Sequence, residues 1–289
     1  MQVGYLGPEG TFTQEAALAA AGQAELSLVP LPTVFDVVMA VHLGEVERAV
    51  VPIENSIEGS VSATLDTLAM ETEDVVIVAE HVQPIRQCLI AREALELQDI
   101  EVVVSHPQAN GQCGRFIRTR LPGARVMTTS STADAVRMVS EHGGPWAALG
   151  TRLAAQLYDC QVLRAGVEDL ADNETRFVWL ARAGADGARP RPGFPGSTAV
   201  TGPWKTAIVF WGIGSDAPGW LVSCLSEFAN RGVNLTRIES RPRKQGLGRY
   251  MFFADLEGHD EDAHVRDALE GLRSHVEALR VLGSFPAAV

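Results

Sequence analysis

The sequence predicts an α/β protein: a body of alternating strands and helices, then a smaller βαββαβ unit. Three observations carry this. Short apolar runs alternate with amphipathic stretches of helical period along residues 1–182. The Gly- and Pro-rich segment 183–203 (AGADGARPRPGFPGSTAVTGP) suits neither a helix nor an inner strand and reads as a linker. Residues 204–289 resume the alternation in a different order. The body's length suits two lobes rather than one sheet, and its strands are expected to be mainly parallel.

The elements of the body follow in order. Residues 3–6 form a short strand. Thr11 caps a helix over 12–21, with Gln14 closing a capping box and Gly22 ending the helix. Thr33 opens a second helix, which puts Val34, Val37, Val38 and Val41 on one face and stops at Gly44. Residues 48–53 are a buried strand ended by Pro52. The helix 60–70 turns Leu65, Leu68 and Ala69 inward. Strands follow at 75–79, 88–91 and 102–105, the last leading into a helix opened by Pro107. Ser131 caps 132–142. The strand 146–149, the helix 151–158 and the strand 177–180 complete the body.

The C-terminal unit reads strand 205–211, helix 218–231, strand 233–240, strand 249–256, helix 261–274, strand 278–284. Asp216 caps its first helix, Pro218 fits the first turn, Leu221, Leu225 and Phe228 form the inward stripe, and Gly232 lies past the end. The order βαββαβ is that of a ferredoxin-like sandwich. Such a module leaves one sheet face without helices, so pairing with a second copy is expected.

Composition narrows the function. A net charge of −12 argues against nucleic acid and against an anionic membrane surface. No apolar run approaches the ~20 residues of a membrane span, and the first residues, MQVGYLGPEG, lack the basic and apolar regions of a signal peptide. Cys88, Cys113, Cys160 and Cys224 are too scattered for a metal knuckle and read as reduced thiols of a cytoplasmic protein. The histidines show no metal-ligand spacing.

The polar motifs fall at strand-to-helix junctions, where ligands of α/β sheets sit. Gly7-Pro8-Glu9-Gly10-Thr11-Phe12 offers close backbone approach and a helix N-terminus suited to an anion, or a plain tight turn. It lacks the lysine and glycine spacing of a nucleotide loop. Residues 51–60 (VPIENSIEGS) place Glu54, Asn55 and Ser56 after a buried strand, and Ser60 alternatively caps a helix. At 105–113 (SHPQANGQC), Gln108 and Gln112 share a helix face. A hydrolase reading of Ser105-His106 fails because adjacent strand residues point opposite ways and no G-x-S-x-G elbow is present; His106 reads as an N-cap or a packed side chain. Ser131-Thr132 repeats the junction pattern. Asp172-Asn173-Glu174-Thr175-Arg176-Phe177 sets a hydroxyl beside a guanidinium, which can grip a carboxylate with two hydrogen bonds. The composite suggests a cleft for a small anion with more than one carboxylate.

Taken together, GPEGTF (7–12), VPIENSIEGSV (51–61), TLD (64–66), SHPQA (105–109) with QC (112–113), STA (131–133), NETRF (173–177) and NLTRIESRP (234–242) resemble the prephenate dehydratases that carry a C-terminal ACT regulatory domain. The resemblance implies a two-lobed body like a periplasmic binding protein, a cleft active site and a homodimer or homotetramer joined partly through ACT pairs. It supplies prephenate as substrate, with phenylpyruvate, CO2 and water as products; aromatisation drives the reaction, so no cofactor is expected. It assigns Thr175 as proton or hydrogen-bond donor to the departing oxygen, with Glu54 as a proton source. Asn55, Ser105 and Gln112 orient the substrate, Arg176 holds its pyruvyl carboxylate beside Phe177, and Gly10-Thr11 and Ser131-Thr132 are carboxylate cradles.

The resemblance also implies L-phenylalanine as effector, held by Asn234, Leu235, Glu239, Ser240, Arg241 and Pro242 and by a helix start that here reads Gly219-Trp220-Leu221-Val222. Trp220 replaces a small residue of that second motif. It fills the pocket, remodels it or points to solvent. No helical segment ahead of the first strand suggests a fused chorismate mutase. Arogenate dehydratase and a non-catalytic binder of small acids fused to an amino-acid sensor are the competing readings.

Overall fold

The computed structural model describes residues 1–21, 24–184, 192, 202–212 and 217–288. Most of the linker 183–203, the helix-ending Gly22 and the cap Asp216 lie outside the described residues.

The first lobe is a six-stranded sheet of β1 (Gln2–Leu6), β2 (Ser27–Leu31), β3 (Arg48–Asn55), β4 (Gly59–Ser60), β5 (Val75–Pro84) and β11 (Glu174–Arg182). Its order is β2-β1-β3-β11-β5, with β4 paired to β3. Helix α1 (Phe12–Ala21) packs on one face; α2 (Val34–His42) and α3 (Ser62–Met70) pack on the other. The stripe expected of α2 is in place: Thr33 caps it, and Val34, Val37, Val38 and Val41 are buried. Each such valine contributes about 1.5–3 kcal/mol relative to an exposed one.

The second lobe is inserted between β5 and β11. Its sheet, in the order β10-β6-β9-β7-β8, contains β6 (Cys88–Ala91), β7 (Val102–Ser105), β8 (Arg125–Thr128), β9 (Trp146–Gly150) and β10 (Gln161–Ala165). Helices α4 (Pro107–Gln112), α5 (Gly114–Arg120), α6 (Thr132–His142) and α7 (Arg152–Leu157) connect the strands. The chain therefore crosses between lobes twice, at residues 84–88 and 165–174.

Several boundaries differ from expectation. The sheets are mixed rather than mainly parallel, because β11 runs antiparallel to both β3 and β5, and β6 antiparallel to β9 and β10. A strand that returns from the inserted lobe has to enter the first sheet in reverse. Pro52 does not end β3. It pairs with Phe177 where the ladder slips past Ile53, and such an irregularity tolerates a residue without an N–H. Ser60 belongs to β4 instead of capping α3, whose N-cap is Val61.

The C-terminal unit forms β12 (Trp204–Trp211), α8 (Trp220–Ala229), β13 (Leu235–Pro242), β14 (Tyr250–Glu257), α9 (Ala263–Arg273) and β15 (Ala278–Pro286). The antiparallel order β13-β14-β12-β15 is the ferredoxin-like arrangement. Helix α8 starts at Trp220, with Gly219 as its N-cap, so Pro218 precedes the helix. The helix-free sheet face is not left for a second copy. Ala207, Val209, Met251, Phe253, Leu282 and Phe285 pack against Val75, Ile77, Val178 and Leu180 of the first lobe. A Cβ at Gly283 would overlap the Ile77 carbonyl, so the two sheets meet backbone to backbone.

Candidate active site

A cavity of about 410 Å³ opens between the lobes. The first lobe contributes Thr11 and Thr13 of the α1 start, Pro52 and Asn55 of β3, and Thr175 and Phe177 of β11. The second contributes His106, Gln108 and Gln112 around α4 and Ser130, Ser131 and Thr132 at the α6 start. Ile85 and Gln87 line it from the first crossing.

Thr175 is fixed by its neighbours. It is 8% exposed, and Asn55, paired with it across the ladder, donates from Nδ2 to Thr175 Oγ1 at 2.9 Å. The same NH2 reaches the Asn173 Oδ1 at 2.8 Å and the Glu174 carbonyl at 3.0 Å. Asn55 Oδ1 accepts the backbone N–H of Ile57 and Glu58, each at 3.0 Å, which leaves one sensible orientation for the amide. Because Thr175 Oγ1 is already an acceptor, its own proton is free to point elsewhere. No acceptor among the described residues takes it, and the side chain faces the cavity.

Arg176 is placed elsewhere. Along β11, Thr175, Phe177 and Trp179 face one way, and Arg176, Val178 and Leu180 the other. The Arg176 guanidinium therefore meets Asp255 of the C-terminal unit at 2.6 Å, Glu80 at 3.4 Å and Glu54 at 3.5 Å. Burial pulls its pKa down, but Asp255 and Glu80 outweigh this and hold it above the ordinary arginine value. Its side chain is 11% exposed and lies behind the cavity, outside its lining, rather than at the substrate position expected of it. Glu54 shares that far face, since it pairs with Arg176 as Asn55 pairs with Thr175, and not the Thr175 side expected of a proton source. Arg237 and Lys205 complete the group: Lys205 Nζ lies 2.7 Å from Glu80, and Arg237 approaches Asp255 and Glu54 at 3.8 and 3.9 Å. Three cations thus face three carboxylates between the body and the C-terminal unit.

Ser105 also leaves the site. It is fully buried and donates to the Leu149 carbonyl at 2.8 Å. Its neighbour His106 is the residue on the cavity; its Nδ1 accepts the Gln108 N–H as an N-cap. Gly10 lies just behind the cavity wall. Its carbonyl accepts the Thr151 hydroxyl at 2.6 Å, and a Cβ there would sit 2.9 Å from Ala154, so it marks a contact between lobes. Half of the expected capping box is present, since Thr11 Oγ1 accepts the Gln14 N–H at 3.4 Å, but the Gln14 side chain returns to the Gly10 N–H, at 2.6 Å, instead of that of Thr11. Beside Gln112, burial pushes the Cys113 thiol up to about 12, which keeps it protonated.

Among the described residues, no arginine or lysine lines the cavity. Positive potential comes from the facing N-termini of α1 and α6, whose first N–H groups have no partner within the helix. Ser131 caps α6 by accepting the Asp134 N–H at 3.0 Å. Gln87 carried no sequence signal because it sits in a connection without a motif. It is 2% exposed and its Oε1 is enclosed without a partner, which marks it as a cavity residue. Among the described residues no cluster fits a metal ion, and no helix is long and apolar enough to cross a membrane.

The motif expected to hold an effector divides in two. On β13, Arg237, Glu239 and Arg241 face the body: Ser60 Oγ bonds Glu239 and Arg237 at 3.1 and 3.0 Å, and Arg241 forks onto Asp66 at 3.1 and 3.0 Å. Asn234, Ser240 and Pro242 are exposed, as is Val222 on α8, while Leu235 and Leu221 pack in the unit's own core. Trp220 turns inward. Its Nε1 donates to the His275 carbonyl at 2.7 Å, and its ring lies 5.9 Å from Phe252 and 6.4 Å from Phe210, over Gly212.

Comparison with known proteins fits this geometry. Residues 3–185 match the family model of prephenate dehydratase and residues 214–274 that of the ACT domain. A prephenate dehydratase of Amycolatopsis methanolica is 39% identical over 99% of this chain and 89% of its own. The crystal structure of an Arthrobacter aurescens prephenate dehydratase in complex with L-Phe, also 39% identical, superposes with a TM-score of 0.87 over 100% of this chain and 93% of its own. GqqA, described as a novel type of quorum quenching acylase, superposes at 0.84 with 31% identity over 100% of this chain and 98% of its own. With its body matched from residue 3 to 185 and an ACT domain behind it, the chain belongs to the prephenate dehydratase family.

Proposed function

We propose that this protein converts prephenate to phenylpyruvate, CO2 and water, with L-phenylalanine as feedback effector. The carrying observation is the Asn55-to-Thr175 hydrogen bond, which leaves the Thr175 proton free to be donated into the cavity. The carboxylates of prephenate lie at the N-termini of α1 and α6, by Thr11 and by Ser131-Thr132, on opposite lobes. Gln112 and Gln108 orient the ring. As the bond to the ring carboxylate breaks, its electron pair completes the aromatic ring and the C–O bond to the hydroxyl breaks. Thr175 donates to the departing oxygen, which leaves as water, and solvent returns the proton. Oriented N–H groups hold the anions without a fixed cation against the carboxylate that leaves, so the ground state is not over-stabilised.

Regulation fits the β13 geometry. Its inward side chains touch Ser60 and Asp66 of the body, so an effector on the outer side of β13 bears on β4, which pairs with β3 of the site, and on α3. Because the helix-free face is covered, a second copy pairs along the β13 edge and the α8 surface, where Ile238 and Val222 are 46% and 68% exposed. A homodimer or homotetramer acting in the cytoplasm follows from this reading. The acylase relative raises acyl transfer, but among the described residues Thr175 Oγ1 bonds the Asn55 NH2 and has no base beside it.

The test is turnover of prephenate and, separately, of L-arogenate by pure protein without added cofactor, with and without phenylalanine. Phenylpyruvate from prephenate, suppressed by phenylalanine, is the expected result; arogenate turnover alone assigns the amino substrate instead. Thr175→Ala lowers kcat by roughly 10²–10⁴-fold, the usual worth of a positioned proton donor, whereas Thr175→Ser keeps much of it. An alanine variant at wild-type rate removes the donor role.

A further inference from the structure

We propose that Asn173 is a positioning residue for the dehydration step, acting on Thr175 through Asn55; this rests on Thr175 being the donor. Asn173 lies just ahead of β11 in the second crossing and is fully buried. Its carbonyl accepts the Ile85 N–H of the first crossing at 2.8 Å, which pins it between the two connections. Its Oδ1 accepts from Asn55 Nδ2 at 2.8 Å.

The geometry explains what that bond does. Asn55 has two N–H protons on Nδ2 and three acceptors within 3.0 Å: Asn173 Oδ1, Thr175 Oγ1 and the Glu174 carbonyl. With one proton committed to Asn173, the other is directed at the Thr175–Glu174 side. Without Asn173, both protons fall to the Glu174 carbonyl and Thr175 Oγ1 on one side, and the first turns the amide toward the carbonyl and out of line with Thr175. Thr175 Oγ1 then loses the contact that turns its proton to the cavity.

A second observation sets Asn173 apart from a packing residue. Its Nδ2 is enclosed without a partner, and it lines a side cavity with Gln108 and Gln112, which also line the main one. An unpaired buried donor is costly, so an apolar side chain of the same shape would suit packing alone better. The acceptor Oδ1 is what the polar side chain supplies.

The test compares Asn173→Leu, which removes the acceptor at near-constant shape, with Asn173→Asp, which keeps it and drops the unpaired donor. Asn173→Leu is expected to lower kcat about tenfold or more, as loss of one oriented hydrogen bond at the reacting group would, with KM within about twofold. Asn173→Asp recovers several-fold of that loss. In an Asn55→Ala background the leucine change has no further effect, because Asn173 acts through Asn55. The proposal is overturned if the leucine variant keeps wild-type kcat, if KM rises instead, or if the two changes are additive. Thr175→Ala turning over normally would sink the donor reading itself. An inactive Thr175→Ala beside a fully active Asn173→Leu would sink only the relay.

Discussion

Thr175 and Arg176 are neighbours in the chain and strangers in space. The motif that holds them was legible as a candidate site, but the bond from Asn55 to Thr175 was not, since Asn55 was expected to orient the substrate. The division of labour was not, because strand periodicity sends adjacent side chains to opposite faces without saying which face carries the cavity. The same rule separated Ser105 from His106, and the residue that reached the cavity was the histidine. Arg176 is instead the centre of a buried charge group with Glu54, Glu80 and Asp255. Removing one member of a buried pair strands the others in low dielectric. Arg176→Gln should therefore destabilise the fold by about 3–5 kcal/mol, read by urea denaturation, while KM of the folded enzyme stays near wild type. Unchanged stability with a tenfold rise in KM would return Arg176 to the substrate.

At the scale of elements, helices announced themselves through their caps: Thr33 and Ser131 each accept a backbone N–H at a helix start, as does Thr151, which was expected inside its helix. Strands β2, β8 and β10 escaped notice. They are short and partly exposed, and their pairing comes from distant segments that no local pattern reports. The turn into α1 was read as a ligand loop, and part of its glycine requirement proves to be a lobe contact. Gly10 sits at φ +86°, with Ala154 of α7 where a side chain would go. Gly10→Ala combines left-handed strain with overpacking and should cost about 1–3 kcal/mol. It should also raise KM, since pushing α7 away widens the cleft between the α1 and α6 N-termini. Differential scanning calorimetry beside steady-state kinetics checks both; a variant matching wild type in melting and KM would show that the lobes do not bear on each other here.

For the whole molecule, the order of units and the ferredoxin-like topology of the C-terminal one were readable from element order. Their docking was not: a helix-free face says that something covers it, not what, and here the covering surface is the chain's own first lobe. The Asp66–Arg241 fork, with Lys244 at 3.0 Å, fastens this contact at its edge. Burial pushes the Asp66 carboxyl up, but bonds from Arg241 and Lys244 outweigh it and hold it below the usual carboxylate range. A depressed carboxylate stabilises the fold above its unfolded pKa of about 3.9, and this is lost as pH falls through the folded value. Asp66→Asn should thus cost about 1–3 kcal/mol at pH 7, a difference that shrinks below pH about 4; a gap that persists in acid would mean packing, not charge, holds the edge. The covered face also bears on how feedback could be abolished for phenylalanine production. Cutting away the regulatory unit would bare Val75, Ile77, Val178 and Leu180 and strip Arg176 of Asp255, yielding a sticky, weakened catalyst. Point changes on the outward side of β13 offer the safer route to a deregulated enzyme.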